Sequence, residues 1–208
     1  MIYLIITSTI HNVNGLYNPP HRKERYLHCI SRALQLLPPN IKPIIVENSE
    51  VSSSYLDGFE NCPVLYTHSI NMFNPNVKYK GNNELHDVKE AIKYYNIQDD
   101  DIVIKLTGRY ELLNDSFFRF IQENENNYDA FIKFYNVCTK RFMYDDCTLG
   151  LIAVRCKYLR NFSYTNQASS EVELSRMVRN NIDKSRVCEI GQLHMRCCFA
   201  EDHRLLDV

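Results

Sequence analysis

Tryptophan is absent from this 208-residue chain. Also missing is any stretch near the roughly 20 uninterrupted apolar residues that would cross a bilayer, so the sequence reads as a soluble protein. No Gly-x-x-x-x-Gly-Lys-Ser/Thr loop occurs, which counts against phosphoryl transfer on a P-loop. Neither charge sign is in excess. With 24 Lys and Arg against 25 Asp and Glu the formal net charge is −1, so no global field draws nucleic acid or an anionic membrane, and any anion site must be local. A leader is not evident either. "MIYLIITSTI" is apolar but short, has no basic segment ahead of it and runs into "HNVNG" without a small-residue cleavage site, as a buried first strand would.

Cysteine is plentiful but unpatterned. None of Cys29, Cys62, Cys138, Cys147, Cys156, Cys188, Cys197 and Cys198 forms Cys-x-x-Cys, and no paired histidines accompany the even spacing of Cys138, Cys147 and Cys156. Without a signal peptide, reduced thiols acting as small buried hydrophobes are expected rather than a disulfide framework or structural zinc. The frequent Asn, Ile, Tyr and Lys fit an A/T-rich genome more than any particular activity.

The length suits one α/β domain over 1–208, long enough to bury a core unaided. Residues 2 to 9 read as a strand ending in Thr7, Ser8 and Thr9. In "HRKERYLHCISRALQLL", Tyr26, Leu27, Ile30, Leu34 and Leu37 fall near helical spacing, and Pro38 and Pro39 end the helix. "KPIIVENS" closes a second strand on Glu47, Asn48 and Ser49, and "CPVLYTHS" reads as a third. The helix "ELHDVKEAIKYYN" has an apolar stripe at Leu85, Val88, Ile92 and Tyr95. "IVIKLTGRY" follows as a fourth strand, then "DSFFRFIQENE" as a helix capped by Asp115 or Ser116, with Phe117, Phe118 and Phe120 packing. "DAFIKFYN" and "GLIAVRCKYL" supply further strands. "SSEVELSRMVRNNI" reads as a helix with a capping box from Ser170 to Glu173 and apolar residues at Val172, Leu174, Met177 and Val178. The tail from Arg186 mixes strand-like runs with charged turns and takes no firm assignment.

Strands alternating with helices through residue 125 predict a Rossmann-like α/β fold: a mixed, mostly parallel central sheet flanked by helices. Such sheets bind ligands at the carboxyl ends of their strands, where strand order reverses. Asp99, Asp100 and Asp101 follow a helix and precede the fourth strand, which puts them at its amino end, as a solvated turn away from the ligand edge. At the other end, alternation puts Lys105, Thr107 and Arg109 on one face if the strand continues that far. Two cations around a hydroxyl would suit a phosphate, Gly108 would let backbone approach it, and a cation about 4 Å from a phosphate oxygen contributes on the order of 4 kcal/mol at intermediate dielectric. Lys105 could instead be paired with Glu47 or Glu84. Lys80 and Gly81, ahead of a helix, make a second anion contact.

"IIVENS", "KYKGNNELHDVKEAI", "DDDIVIKLTGRYELL" and "LGLIAVRCKYL", with the basic helix start "RKERYLHCISRAL", resemble A-type-fold (GT-A-like) glycosyltransferases. The nearest likeness is to small sugar-transferase domains of large DNA viruses and bacterial surface-polysaccharide clusters, over most of residues 1 to 200. The resemblance implies a donor such as a UDP-sugar, a glycan or glycoprotein acceptor, and a cytoplasmic enzyme, in host cytoplasm if virus-encoded. It implies a nucleotide-sugar half in 1–125 and an acceptor half in 126–208. Thr7, Ser8 and Thr9 would line the nucleotide pocket, with Glu47 and Asn48 on base or ribose. The family's Asp-x-Asp motif, which holds Mn²⁺ or Mg²⁺ on the diphosphate, has Thr107, Gly108 and Arg109 in its place here. Metal use is therefore open, with Lys105 and Arg109 as replacements for it. For the acceptor proton, Glu171 and Asp146 are favoured over Asp145, Glu173 and His194. The alternative is a nucleotide- or glycan-binding domain of the same fold without catalysis.

Overall fold

The computed structural model describes residues 1–11, 19–49, 54–68, 81–135, 145–199 and 204–208. Strand β1 (Ile2–Ser8) leads to helix α1 (Pro19–Gln35), then β2 (Ile41–Glu47) and β3 (Val64–Tyr66). Helix α2 (Gly81–Tyr94) precedes β4 (Ile102–Thr107), β5 (Glu111–Leu112), α3 (Ser116–Asn124) and β6 (Ala130–Ile132). The remainder holds β7 (Leu151–Arg155), α4 (Cys156–Asn161), α5 (Ser170–Asn181), β8 (Val187–Glu189), β9 (Met195–Cys198) and β10 (Leu205–Asp207).

Seven strands form the main sheet in the order β3-β2-β1-β4-β7-β6-β8. β1 pairs in parallel with both β2 and β4, β2 with β3, and β6 with β8, while β7 runs antiparallel to β4 and β6. The mixed, mostly parallel sheet expected from the alternating pattern is thus present. A second, antiparallel sheet orders β10-β9-β5.

Every residue of β1 and of β4 is buried, because helices cover both faces of the sheet. Leu4, Ile6, Ile104 and Leu106 join Tyr26 and Ile30 of α1, Phe118 of α3 and Met195 of the small sheet in one core. Ile5 and Val103 face the other way, into a core with Val88 and Ile92 of α2 and Leu174, Met177 and Val178 of α5. Period-two alternation in the strands divides the two cores.

Two local expectations give way, and a third, the cap at Asp115, holds in position but not in its bond. "CKYL" is not strand: β7 ends at Arg155 and α4 begins at Cys156, whose amide donates to the Asp101 carbonyl at 2.8 Å. The capping box from Ser170 to Glu173 is out of register, since Ser169 is the cap and accepts from the Val172 amide. Asp115 caps α3 without a side-chain bond; Asn114 Oδ1 takes the Ser116 amide at 3.1 Å, and Asp115 pairs with Arg119.

Candidate functional site

Strand order reverses at β1. The chain moves outward to β2 and β3, then returns through α2 to place β4 on the other flank of β1. The carboxyl ends of β1 and β4 therefore meet at the switch point, with Thr7 beside Thr107.

On the α2 face a polar cluster closes this edge. Lys105 Nζ donates to Glu84 Oε2, to Thr107 Oγ1 at 2.7 Å and to the Leu149 carbonyl at 2.9 Å. Glu84 Oε1 also accepts from Thr107 at 3.0 Å and Thr7 at 3.4 Å. Lys105 is only 5 % exposed, and its three donors are all engaged. Of the two pairings weighed for it, Glu84 is the one made. Burial alone would raise the Glu84 carboxyl, but the charges of Lys105 and Arg109 and the bonds from Lys105 and Thr107 hold it below its ordinary value.

Arg109 is not on that face. β4 stops at Thr107, whose carbonyl accepts the Tyr110 amide at 2.9 Å, so the chain turns and carries Arg109 to the α1 side. There its Nε donates to the Cys198 carbonyl at 3.1 Å, and its guanidinium lies 4.9 Å from the Tyr110 ring centre. The expected single face of Lys105, Thr107 and Arg109 is corrected by this turn: the strand does not run far enough for alternation to reach Arg109. Gly108 makes the turn tight. Its amide donates to the Thr7 carbonyl at 2.9 Å, and a Cβ there would lie 2.8 Å from that same oxygen.

At the end of β2 the polar side chains fold inward. Glu47, 0 % exposed, accepts from Ser8 Oγ at 2.6 Å, from the Ser49 amide at 2.9 Å and from Ser49 Oγ. Ser8 also meets Tyr55 Oη at 2.9 Å, and burial, with the Glu47 charge second, pushes that phenol up. Asn48 takes the Thr9 hydroxyl at 2.7 Å and donates to Asp87 Oδ2 at 2.7 Å, while Thr67 donates to Asp87 Oδ1 at 2.8 Å. Glu47 and Asn48 thus tie β1, β2, β3 and α2 together. Gly81 opens α2 three residues earlier than the apolar stripe indicates and sits so close to Ser170 that a Cβ would lie 2.3 Å from Ser170 Oγ. Lys80 lies outside the described residues, as does Cys138.

The acidic triplet lies at the amino end of β4, as its place between helix and strand requires. Asp99 and Asp100 are exposed, as a solvated turn requires, and only Asp101 departs from that reading. Asp101 is 6 % exposed and accepts the Met1 amino group and the Gln98 amide, both at 2.8 Å, and Asp99 pairs with Arg160.

The two favoured carboxylates are neighbours in space around Cys147. Cys147 Sγ donates to the Glu171 carbonyl at 3.2 Å, and burial, then the Glu171 and Asp146 charges, push this thiol well up. Asp146 is 0 % exposed, whereas Glu171, in the first turn of α5, is partly exposed. Glu173 serves a loop: it accepts from the Thr165, Gln167 and Ala168 amides and the Thr165 hydroxyl. Asp145 pairs with Arg176 on the surface, and His194, with a positive φ of 51°, immediately precedes β9 and accepts the Leu113 amide at 2.8 Å through its carbonyl.

Sequence reading missed Asp87 and Tyr55, which complete the β2 network, and the approach of Arg22 and Arg25 to Arg109. The basic helix start was visible, but nothing in the sequence showed which strand end it would meet. A hard cation needs converging oxygens. Among the described residues no group of three His, Cys, Asp or Glu side chains could hold one. Glu84, Glu47 and Asp87 are each committed to Lys105, hydroxyls or amides. The described residues of this edge do not fit Mn²⁺ or Mg²⁺.

No family model and no curated protein sequence matches the chain. Solved structures do. A candidate nucleotide-diphospho-sugar transferase from Desulfovibrio desulfuricans G20 superposes with a TM-score of 0.51 at 12 % identity, over 90 % of this chain and 78 % of that one. The Q189E active-site mutant of LgtC gives 0.50 at 9 % identity, over 90 % and 72 %. The bifunctional IspDF of Campylobacter jejuni gives 0.53 at 10 % identity, over 91 % of this chain and 49 % of that one. No helix of the described residues is long and apolar enough to cross a membrane. By strand order and by these likenesses, the chain has the mixed α/β fold of nucleotide-diphospho-sugar transferases, a GT-A-like fold.

Proposed function

We propose that this protein is a glycosyltransferase that moves a sugar from a nucleotide-diphosphate sugar, a UDP-sugar foremost, to a hydroxyl of a glycan or glycoprotein acceptor in the cytoplasm. The observation that carries the proposal is the switch point. In a fold shared with nucleotide-sugar enzymes, the adjoining ends of β1 and β4 set the Thr7 and Thr107 hydroxyls on one face of the carboxyl edge and the guanidinium of Arg109 on the other, and among the described residues the carboxylate beside the hydroxyls, Glu84, is committed to Lys105. Residues 1–125 supply the donor half and 126–208 the acceptor half in this reading. Thr9 and Asn48 border the donor, and Arg109 takes up charge as the diphosphate leaves. Glu171, partly exposed at the start of α5, accepts the acceptor hydroxyl proton as the new glycosidic C–O bond forms and the bond to phosphate breaks.

A panel of nucleotide sugars, incubated with and without chelator, tests this. Donor hydrolysis or transfer that survives chelation, and that Arg109→Ala abolishes, supports the reading. No binding and no turnover across the panel sinks it. A binding domain without catalysis is the second reading, favoured by the enclosure of Asp146 and the engagement of Glu84 by Lys105. Donor binding with no turnover on any acceptor would select it.

A further inference from the structure

The α1 side of the carboxyl edge gathers three guanidinium groups. Arg22 and Arg25, one helical turn apart on α1, share a small pocket with Arg109 of the β4–β5 turn, walled also by Tyr26 and Cys198. Arg22, 6 % exposed, holds the Thr9 carbonyl just past β1 through Nε at 3.2 Å and Nη2 at 2.7 Å. Arg25 Nε donates to the Arg109 carbonyl at 3.0 Å. Its Nη1 stands 3.8 Å from Glu111, and its Nη2 is buried with no hydrogen-bond partner among the described residues. Glu111 is the one carboxylate in ion-pair range of the three among those residues, and it also serves His28 and Arg196.

Among the described residues Glu111 answers Arg25 alone of the three, and the Glu84 charge reaches Arg109 only at longer range, so positive charge stays in surplus, and a buried guanidinium N–H without an acceptor calls for one. Guanidinium forks match the paired oxygens of a phosphate, and the low polarity of Tyr26 and the core beneath strengthens each contact. We propose that Arg22, Arg25 and Arg109 form an anion pocket for the phosphate groups of the donor, the charge-neutralising part of the nucleotide-sugar site. This rests on the reading of the carboxyl edge as that site. Arg22 positions the end of β1 through Thr9, while Arg25 and Arg109 supply the donors that face the phosphate oxygens. The cation set is thus drawn from α1 and the turn, on the face of the sheet opposite Lys105.

The test titrates the full chain, in chelator, with sodium pyrophosphate, UDP and uridine by calorimetry. Pyrophosphate and UDP are expected to bind, and uridine at least tenfold more weakly than UDP. Arg25→Ala and Arg109→Ala should each weaken pyrophosphate binding at least tenfold, with Arg25→Lys intermediate because it restores charge but not the fork. Arg119→Ala, at an exposed arginine paired with Asp115, should leave binding unchanged. Circular dichroism shows whether each variant is folded, and Arg25→Gln stands in if Arg25→Ala is not. No pyrophosphate binding by the unmodified protein, or unchanged binding in folded Arg25 and Arg109 variants, overturns the pocket. Sugar transfer that persists undiminished in both arginine variants overturns the pocket and leaves the transferase reading standing. Arginine-dependent pyrophosphate binding without turnover of any nucleotide sugar does the reverse.

Discussion

Replacing Lys105 by methionine separates two roles that the same residue could have, a ligand for phosphate or a brace for the end of β4. Methionine keeps the length of the chain but removes the ammonium. Glu84 Oε2 then loses its ion partner, and the Thr107 hydroxyl and the Leu149 carbonyl lose theirs. Breaking a buried ion pair from one side costs about 3–5 kcal/mol. The Glu84 side chain is 26 % exposed, so water recovers part of that, and about 3 kcal/mol is expected. For a chain of this size each kcal/mol lowers Tm by roughly 2–4 °C, so the variant should melt about 6–12 °C lower. Glu84→Gln strands the lysine instead, and the double variant should recover on the order of 1–3 kcal/mol relative to the sum of the singles. Urea unfolding of the four proteins measures the cycle. Acid sharpens it. The Glu84 carboxyl is held below its ordinary value, so its contribution is complete above about pH 4.3, its unfolded value, and is lost as pH falls through the lowered one. Lys105→Met should remove that part of the acid sensitivity. An unchanged Tm combined with lost pyrophosphate or UDP binding would refute this reasoning, because it would put the lysine on the ligand rather than on Glu84.

The other predictions concern single contacts. Gly108→Ala forces a Cβ to within 2.8 Å of the Thr7 carbonyl, which is backbone and cannot swing aside, so about 1–3 kcal/mol should be lost in urea unfolding. Equal stability would show that β1 and the turn can part without cost. Glu173→Gln weakens the clasp on Thr165, Gln167 and Ala168 by about 1–3 kcal/mol, read as faster amide exchange in 165–168. Burial raises this carboxyl, but the loop amides and the Thr165 hydroxyl hold it below its ordinary value. The clasp should therefore loosen as pH falls through the lowered value in the unmodified protein and lose that dependence in the variant. Asp129→Asn should destabilise the protein by about 2–4 kcal/mol, since Arg155 Nε and Arg186 Nη2 reach Asp129 Oδ1 at 2.9 and 2.7 Å. A change of less than about 0.5 kcal/mol would mark the Asp129 network as dispensable.

The fold was legible where the pattern was long. Five apolar residues of β1 and the stripe of α2 could belong only to a strand buried on both faces and to a helix lying on a sheet, and the order in which they came implied parallel pairing. Short elements were less visible. β5, β8 and β10 have two or three residues each, too few to show a period, and they form only because a partner strand supplies their hydrogen bonds. Site residues divide in the same way. The segment carrying the carboxyl edge could be found from Thr7 and from "KLTGR", since both follow apolar runs. Which side chains meet there depended on where β4 stops. Two residues of further extension would have kept the alternation that joins Arg109 to Lys105; the turn at Thr107 and Gly108 sends them to opposite faces instead.

That separation decides how the edge could neutralise a diphosphate. A carboxylate close to Lys105 lowers the field that the lysine presents to solvent, and a lysine close to Glu84 makes that carboxylate a poor metal ligand, so on the α2 face these two charges answer each other directly, with Arg109 acting on Glu84 from farther off. Hydroxyls rather than free charges border it there. On the α1 face the count is reversed: of Arg22, Arg25 and Arg109, only Arg25 comes within ion-pair range of a carboxylate among the described residues, Glu111, which His28 and Arg196 also approach. At an effective dielectric of 20 a unit charge about 5 Å from one guanidinium gains roughly 3 kcal/mol before desolvation is charged against it, and the gain is sustained only where the positive charge is not already answered. The ordering of the two faces follows from which glutamate each cation reaches, Glu84 for Lys105 and a shared Glu111 for Arg25. Anion affinity should accordingly fall with ionic strength in the unmodified protein, and a Glu111→Gln substitution, which frees the arginines further, should raise pyrophosphate affinity severalfold. A decrease would mean that Glu111 holds Arg25 in the geometry the anion needs, and that orientation outweighs the added charge.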